Sequence, residues 1–159
     1  MTGMDVMRRL RAYKTDIDRL RLRRLCAQDA ATAATRAAGA APGASGGKSD
    51  RAERYAVEID AIDRAIRARH SMREQEAAEA ARLVAMLDPA QGMAMHCHYV
   101  RAQTIRQVAG EMSVSESSAR GLIRRARETL SRTPSALGGD ETYRAACRTY
   151  AAYSKKEGA

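Results

Sequence analysis

A chain of 159 residues has room for one compact domain, or for one small domain joined to a long helical element. Its 28 Lys and Arg outnumber 19 Asp and Glu, and the resulting formal charge of +9 favours a polyanionic partner. No apolar run approaches the roughly 18 residues of a membrane span, and with 4% aromatics, no Trp and no Phe the chain cannot line a ligand pocket with rings. The first ten residues lack the apolar block of a secretory signal. Cys26, Cys97 and Cys147 stand far apart at no metal-ligand spacing, so the chain reads as a reduced, cytoplasmic protein, not a disulfide scaffold.

Taken in chain order, Val6, Leu10, Tyr13, Ile17 and Leu20 recur at spacings of 4, 3, 4 and 3, which predicts an amphipathic helix over about 5–37. A Gly/Ala/Ser/Pro tract at 38–49, AGAAPGASGGKS, predicts a flexible linker. Beyond it Tyr55, Ile59, Ile62 and Ile66 repeat the 4, 3, 4 spacing. The stripe weakens through Arg73 and Glu76 and recovers at Ala80, Leu83 and Leu87. A second long helix is therefore predicted over 50–87, begun by Ser49–Asp50 as a cap and stopped by Asp88–Pro89. Neither helix can bury its stripe alone, so an antiparallel, coiled-coil-like pair across the linker is expected. Charge agrees with that pairing: residues 1–37 hold nine basic and four acidic side chains, residues 50–88 seven and nine. A homodimer through the long helices satisfies the same pattern.

After Pro89 the pattern predicts short helices over 90–101, 104–112 and 116–131. Thr133–Pro134 and Gly138–Gly139 then break the chain, a weak helix follows at 140–153 bearing Tyr143, Tyr150 and Tyr153, and 154–159 is expected to be disordered. The tyrosines at helical spacing are expected to cover a small core.

The stretch 104–130, TIRQVAGEMSVSESSARGLIRRARETL, carries the chemistry. A helix-turn-helix needs apolar residues where its helices cross, a small residue inside the first helix and a tight turn. Ile105, Val108 and Met112 supply the first apolar face, Ala109 the small residue, Ser113 the turn and Val114 its apolar partner. Ala119, Leu122, Ile123 and Ala126 form the inner face of the second helix, and Ser115 is its natural cap. Thr104, at the head of the first helix, is placed with the DNA-contacting set. Residues Glu116 to Arg120 then open a recognition helix, with Ser117, Ser118 and Arg120 as candidates for base edges. Arg106, Arg124, Arg125 and Arg127 are candidates for phosphates, and residues 101–132 carry seven Arg against three Glu.

This stretch resembles region 4 of the sigma-70 family, its RRARETL ending being similar to the close of that region's DNA-reading helix. Leu87-Asp88-Pro89 and His98-Tyr99-Val100 resemble the helix that precedes the motif, so that the likeness spans about 45 of the 159 residues. A region 4 motif alone, behind a long helical pair, is the layout of small phage regulators of the RinA and ArpU type. The resemblance implies double-stranded DNA and RNA polymerase as partners and late or packaging-associated phage genes as targets. Two departures stand out: Ser113 replaces the usual turn glycine, and Gly110 sits inside the first helix.

Other constellations carry less. His96-Cys97-His98 has too few convergent ligands for zinc, because two histidines separated by one residue point about 200° apart on a helix. Cys97 has no base-orienting carboxylate pattern around it, so no enzyme is expected. Gly46-Gly47-Lys48-Ser49 imitates a phosphate loop, but Pro42 stands where its first glycine belongs and no strand precedes it. The expectation is an all-α regulator without metal or cofactor. It has an N-terminal helix (1–37), linker (38–49), second long helix (50–88), DNA-binding domain (89–132) and tail (133–159). A small terminase subunit marking viral DNA, and a protein-binding anti-activator, are the alternatives.

Overall fold

The computed structural model describes residues 1–39 and 49–154. It is all-helical: α1 (Gly3–Gly39), α2 (Ser49–Ala85), α3 (Pro89–Met95), α4 (Ile105–Glu111), α5 (Glu116–Arg132) and α6 (Glu141–Ser154). A π-helical turn (His96–Val100) prolongs α3, and a short 3-10 turn (Ala136–Gly138) precedes α6. No helix among the described residues is long and apolar enough to cross a membrane. Most of the 38–49 tract lies outside the described residues, its ends being the last turn of α1 and the first residue of α2. The phosphate-loop mimic at 46–49 and the terminal stretch at 154–159 likewise lie almost wholly outside them.

The described residues form two compact units that do not follow chain order. The first combines Met1–Lys14 with Ser71–Ala145, and the second combines Thr15–His70 with the chain from Ala146.

In the first unit, Met4, Val6, Met7 and Leu10 of α1 are buried, as are Met72, Ala80 and Leu83 of α2. A Cβ on Gly3 would stand 3.1 Å from Leu83 Cδ2 and 3.3 Å from the Leu130 carbonyl, so the start of α1 is pressed between α2 and the end of α5. Backbone bonds stitch the same place together: Gly3 N donates to Thr133 O at 2.8 Å and Ser135 N to Met1 O at 3.1 Å. The Asp5 carboxylate accepts from the Thr2 backbone N–H at 2.8 Å and from its hydroxyl at 2.9 Å. Those bonds hold its pKa below the usual carboxylate value. Pro89 opens α3 instead of merely ending α2, since its fixed φ suits a first helical position. α2 therefore stops at Ala85, two residues short of the predicted Leu87. Glu79 Oε1 receives the Ala136 backbone N–H at 2.9 Å, satisfying the 3-10 turn. The Arg82 guanidinium, followed by that backbone bond and Ser135, holds the Glu79 carboxyl down at about 2.

In the second unit, Ile17, Leu20 and Ala27 of α1 and Ile62 and Ala65 of α2 are buried. Arg24 Nε donates to Asp63 Oδ1 at 2.7 Å and Arg69 Nε to Asp16 Oδ2 at 3.0 Å, so rising numbers on α1 meet falling numbers on α2. Tyr153 is buried beneath the Arg23 guanidinium, which lies 5.0 Å from its ring centre.

The weak middle of the second stripe has a definite cause. Arg69 and Glu76 are fully buried in α2, each in its own unit, and neither is left bare. Arg69 is answered by Asp16, and Glu76 Oε1 accepts from the Tyr143 hydroxyl at 2.8 Å. Arg73, which the heptad count placed on the stripe, is exposed and lies over the Tyr13 ring at 5.0 Å.

Candidate nucleic-acid interface

The candidate interface lies on α4 and α5, which pack on each other while α5 also packs on α3. Thr104 caps α4: Gln107 N donates to its hydroxyl at 3.3 Å, and Gln107 Oε1 accepts from the Thr104 backbone N–H at 2.9 Å. This reciprocal capping box satisfies two donors that a helix start otherwise leaves open. Ser115 caps α5 by accepting from Ser118 N at 3.1 Å, and its own hydroxyl donates to Ser118 Oγ at 2.9 Å. The turn between the helices is a Schellman closure. Ser113 N donates to Gly110 O at 3.2 Å and Val114 N to Ala109 O at 3.0 Å, with Ser113 at φ 54°. The serine thus occupies the left-handed conformation that glycine takes most easily. Gly110 faces open space, with nothing within 4 Å of a Cβ built there.

Val108 and Ala109 of α4 are buried against this pair, while Ile105 and Met112 are half-buried. On α5, Ala119, Ile123, Ala126 and Leu130 are buried and Leu122 is half-buried. The remaining face of α5 is polar and open: Glu116, Ser117, Ser118, Arg120, Arg124, Arg125 and Arg127 are all exposed, as are Thr104 and Arg106 on the α4 side. Val114, expected to serve the turn as an apolar contact, has an exposed side chain, and what it gives the turn is its backbone N–H, which closes α4.

The predicted site residues are therefore all exposed, on α4, α5 or their caps, with different freedom. Thr104, Ser115 and Ser118 spend hydroxyl bonds on helix starts. Arg120 bridges loosely to Glu116, NH2 to Oε2 at 3.3 Å, one turn apart on the exposed face. Arg106, Arg124, Arg125 and Arg127 make no ion pair among the described residues, and Ser117 makes no side-chain hydrogen bond there. Arg124 and Arg127 line a shallow depression with Glu128, Ser131 and Arg132.

Sequence reasoning missed what buttresses this surface. His98, in the π-helical turn, accepts a hydrogen bond at Nε2 from the Arg11 guanidinium, which also reaches the His98 carbonyl at 3.1 Å. His98 Nδ1 lies 2.9 Å from the Gln103 carbonyl. Arginine can only donate and a carbonyl can only accept, so the ring is neutral with its proton on Nδ1. Burial lowers the His98 pKa, and Arg11 and Arg127 push the same way against the Gln103 bond. Arg101 pairs with Glu111, whose other carboxylate oxygen accepts from Gln103 Nε2 at 2.7 Å, tying the entry of α4 to its end. Burial, with Glu111 behind it, raises the thiol pKa of Cys97, which keeps it a protonated core side chain. No sequence signal could place Arg11 here, since 87 positions separate it from His98. No family model, curated protein or solved structure matches this chain.

Proposed function

We propose that this chain is a sequence-specific DNA-binding transcriptional regulator whose α5 enters the major groove of promoter DNA. In this reading it activates genes of a phage or mobile element in the host cytoplasm. The single observation that carries the reading is the open face of α5. Arg124, Arg125 and Arg127 stand there without carboxylate partners among the described residues, opposite a buried Ala119–Ile123–Ala126–Leu130 face. A solvated helix with no partner usually intersperses its charges with opposite ones. Cations left unmatched on a helix held firmly from behind suit a phosphate backbone.

Ser117 and Arg120, at the first turns of α5, would read base edges, with Arg120 released from Glu116 to meet a guanine. Arg106, Arg124, Arg125 and Arg127 would contact phosphates and set the docking angle. The region 4-like helix-turn-helix would be carried by a long antiparallel helical pair, and RNA polymerase would be the second partner. No covalent chemistry, metal or cofactor enters this mechanism. Selection of bound duplexes from a random pool is the test. Enrichment of one defined motif supports the reading, whereas retention of every duplex alike, or of none at low salt, rejects it.

A further inference from the structure

The arginines that cross between α1 and α2 are answered by carboxylates: Arg69 by Asp16, Arg24 by Asp63 and Arg23 by Glu58. Arg11, half-buried on α1, is not. Its guanidinium donates to His98 Nε2 and to the His98 carbonyl at 3.1 Å, and it lies over the Tyr99 ring, 5.8 Å from the ring centre. Each of these partners is neutral, and Arg11 makes no ion pair among the described residues. A guanidinium drawn partly out of water without a counter-charge has a desolvation cost that an anion can offset.

A second cation acts on the same imidazole. Arg127 of α5 adds its field to that of Arg11 at His98, and it too makes no ion pair among the described residues. No carboxylate is among the groups acting on His98, and Glu111 of α4 is already engaged by Arg101 and Gln103. The Gln103 carbonyl takes the Nδ1 proton at 2.9 Å, and the Tyr99 ring stands edge-on at 4.8 Å, both without charge. Arg127 also lines the shallow depression on α5, where Glu128 is the one carboxylate beside Arg124, Arg127 and Arg132. Arg11, His98 and Arg127 thus come from α1, the π-helical turn and α5, all within the first unit.

We propose that Arg11, His98 and Arg127 form a binding site for a phosphate group, which His98 completes by taking a proton from solvent on Nε2. That nitrogen now accepts from Arg11, so an incoming phosphate oxygen replaces it as the acceptor and the guanidinium keeps a partner. Guanidinium suits this ligand because its planar fork can give a phosphate two parallel hydrogen bonds. An anion beside the ring raises the proton affinity of His98, and by reciprocity the bound proton raises the affinity for the anion. Arg127 also stands among the proposed DNA contacts, but the site does not rest on that reading. A nucleic-acid backbone and a free phosphate present the same kind of oxygen.

The test follows the His98 imidazole by NMR through pH titrations of the full chain, its signal being the one that vanishes in His98→Gln. The titrations are run in chloride, in inorganic phosphate at equal ionic strength, and with a short random-sequence duplex at low salt. The expected result is a His98 midpoint raised by about one pH unit, equivalent by linkage to about tenfold tighter binding at low than at high pH. Arg11→Gln is expected to raise the midpoint in chloride, because one repelling charge is gone, and to abolish most of the further rise. A rise with inorganic phosphate alone supports the site and assigns it to a small phosphate ligand. A rise with the duplex alone supports it and assigns it to a nucleic-acid backbone. A midpoint that neither probe moves, or that both move as far in Arg11→Gln as in the wild type, overturns the site. The random duplex keeps this result apart from sequence recognition: a raised midpoint without any selected motif rejects the regulator and leaves the site standing.

Discussion

At the scale of single residues, the turn between α4 and α5 holds a strain that substitution can relieve. Ser113 is one of two non-glycine residues with positive φ among the described residues, and a left-handed conformation costs an ordinary side chain about 1–2 kcal/mol. Ser113→Gly should therefore stabilise the fold by about 1 kcal/mol. Gly110→Ala should add about 0.5–1 kcal/mol, because a methyl group there meets only open space inside a helix. Thermal unfolding of both variants checks this, and a lowered Tm for Ser113→Gly would contradict the turn geometry. His98 supplies a pH prediction with a definite sign. Its pKa in the fold lies below the ordinary 6.5, so the unfolded chain binds the extra proton first. The contribution of His98 is present in full above that ordinary value and is lost as pH falls from it to the lowered value. Urea unfolding between about pH 8 and pH 5 should show stability declining on acidification, and His98→Gln should flatten the decline. An unchanged slope in the variant would mean that Arg11 does not hold the ring neutral.

At the scale of elements, α5 divides its side chains by depth: alanines, Ile123 and Leu130 face inward while the arginines face out. Under the proposed function, that division would separate two kinds of DNA contact that binding experiments can tell apart. Arg120→Ala should cost about 1–3 kcal/mol on the selected site and far less on unrelated duplexes, since a guanine contact is a base contact. Arg127→Ala should weaken binding evenly across sequences and flatten the slope of log K against log salt by about 1. Titrations of both variants against the selected site and a scrambled one, at several salt concentrations, decide the matter. Equal and sequence-blind losses would move the reading face elsewhere on α5. Glu116 has a part in the same argument, because under the proposed function its loose bridge would occupy Arg120 until DNA displaced it.

At the scale of the whole molecule, what the sequence made legible was local and what it hid was distant. The 4–3 spacing of Val6, Leu10, Ile17 and Leu20 foretold which side of α1 is buried, because helical periodicity needs only neighbours. Ser115 as a cap and Ser113 as a strained turn were legible for the same reason. The buried charges were not: Arg69 finds Asp16 across 53 positions and Glu76 finds Tyr143 across 67, so in the sequence they read as gaps in a stripe. The π-helical turn at His96–Val100 has no mark in its residues either. Tyr143 shows why the C-terminal helix belongs to the fold instead of trailing from it. Its hydroxyl donates to the fully buried Glu76 and accepts from Arg9 NH1 at 2.9 Å, joining α6, α2 and α1 within one unit. A buried carboxyl group that loses a hydrogen-bond partner keeps its desolvation cost, so removing one oxygen here costs more than the bond's net worth. Tyr143→Phe should destabilise the chain by about 1–3 kcal/mol in urea unfolding, whereas Tyr55→Phe, at a half-buried ring with no side-chain hydrogen bond among the described residues, should cost less than about 0.5 kcal/mol. Equal costs at the two positions would leave Glu76 satisfied by something other than the tail, and the last helix would then be dispensable to the core.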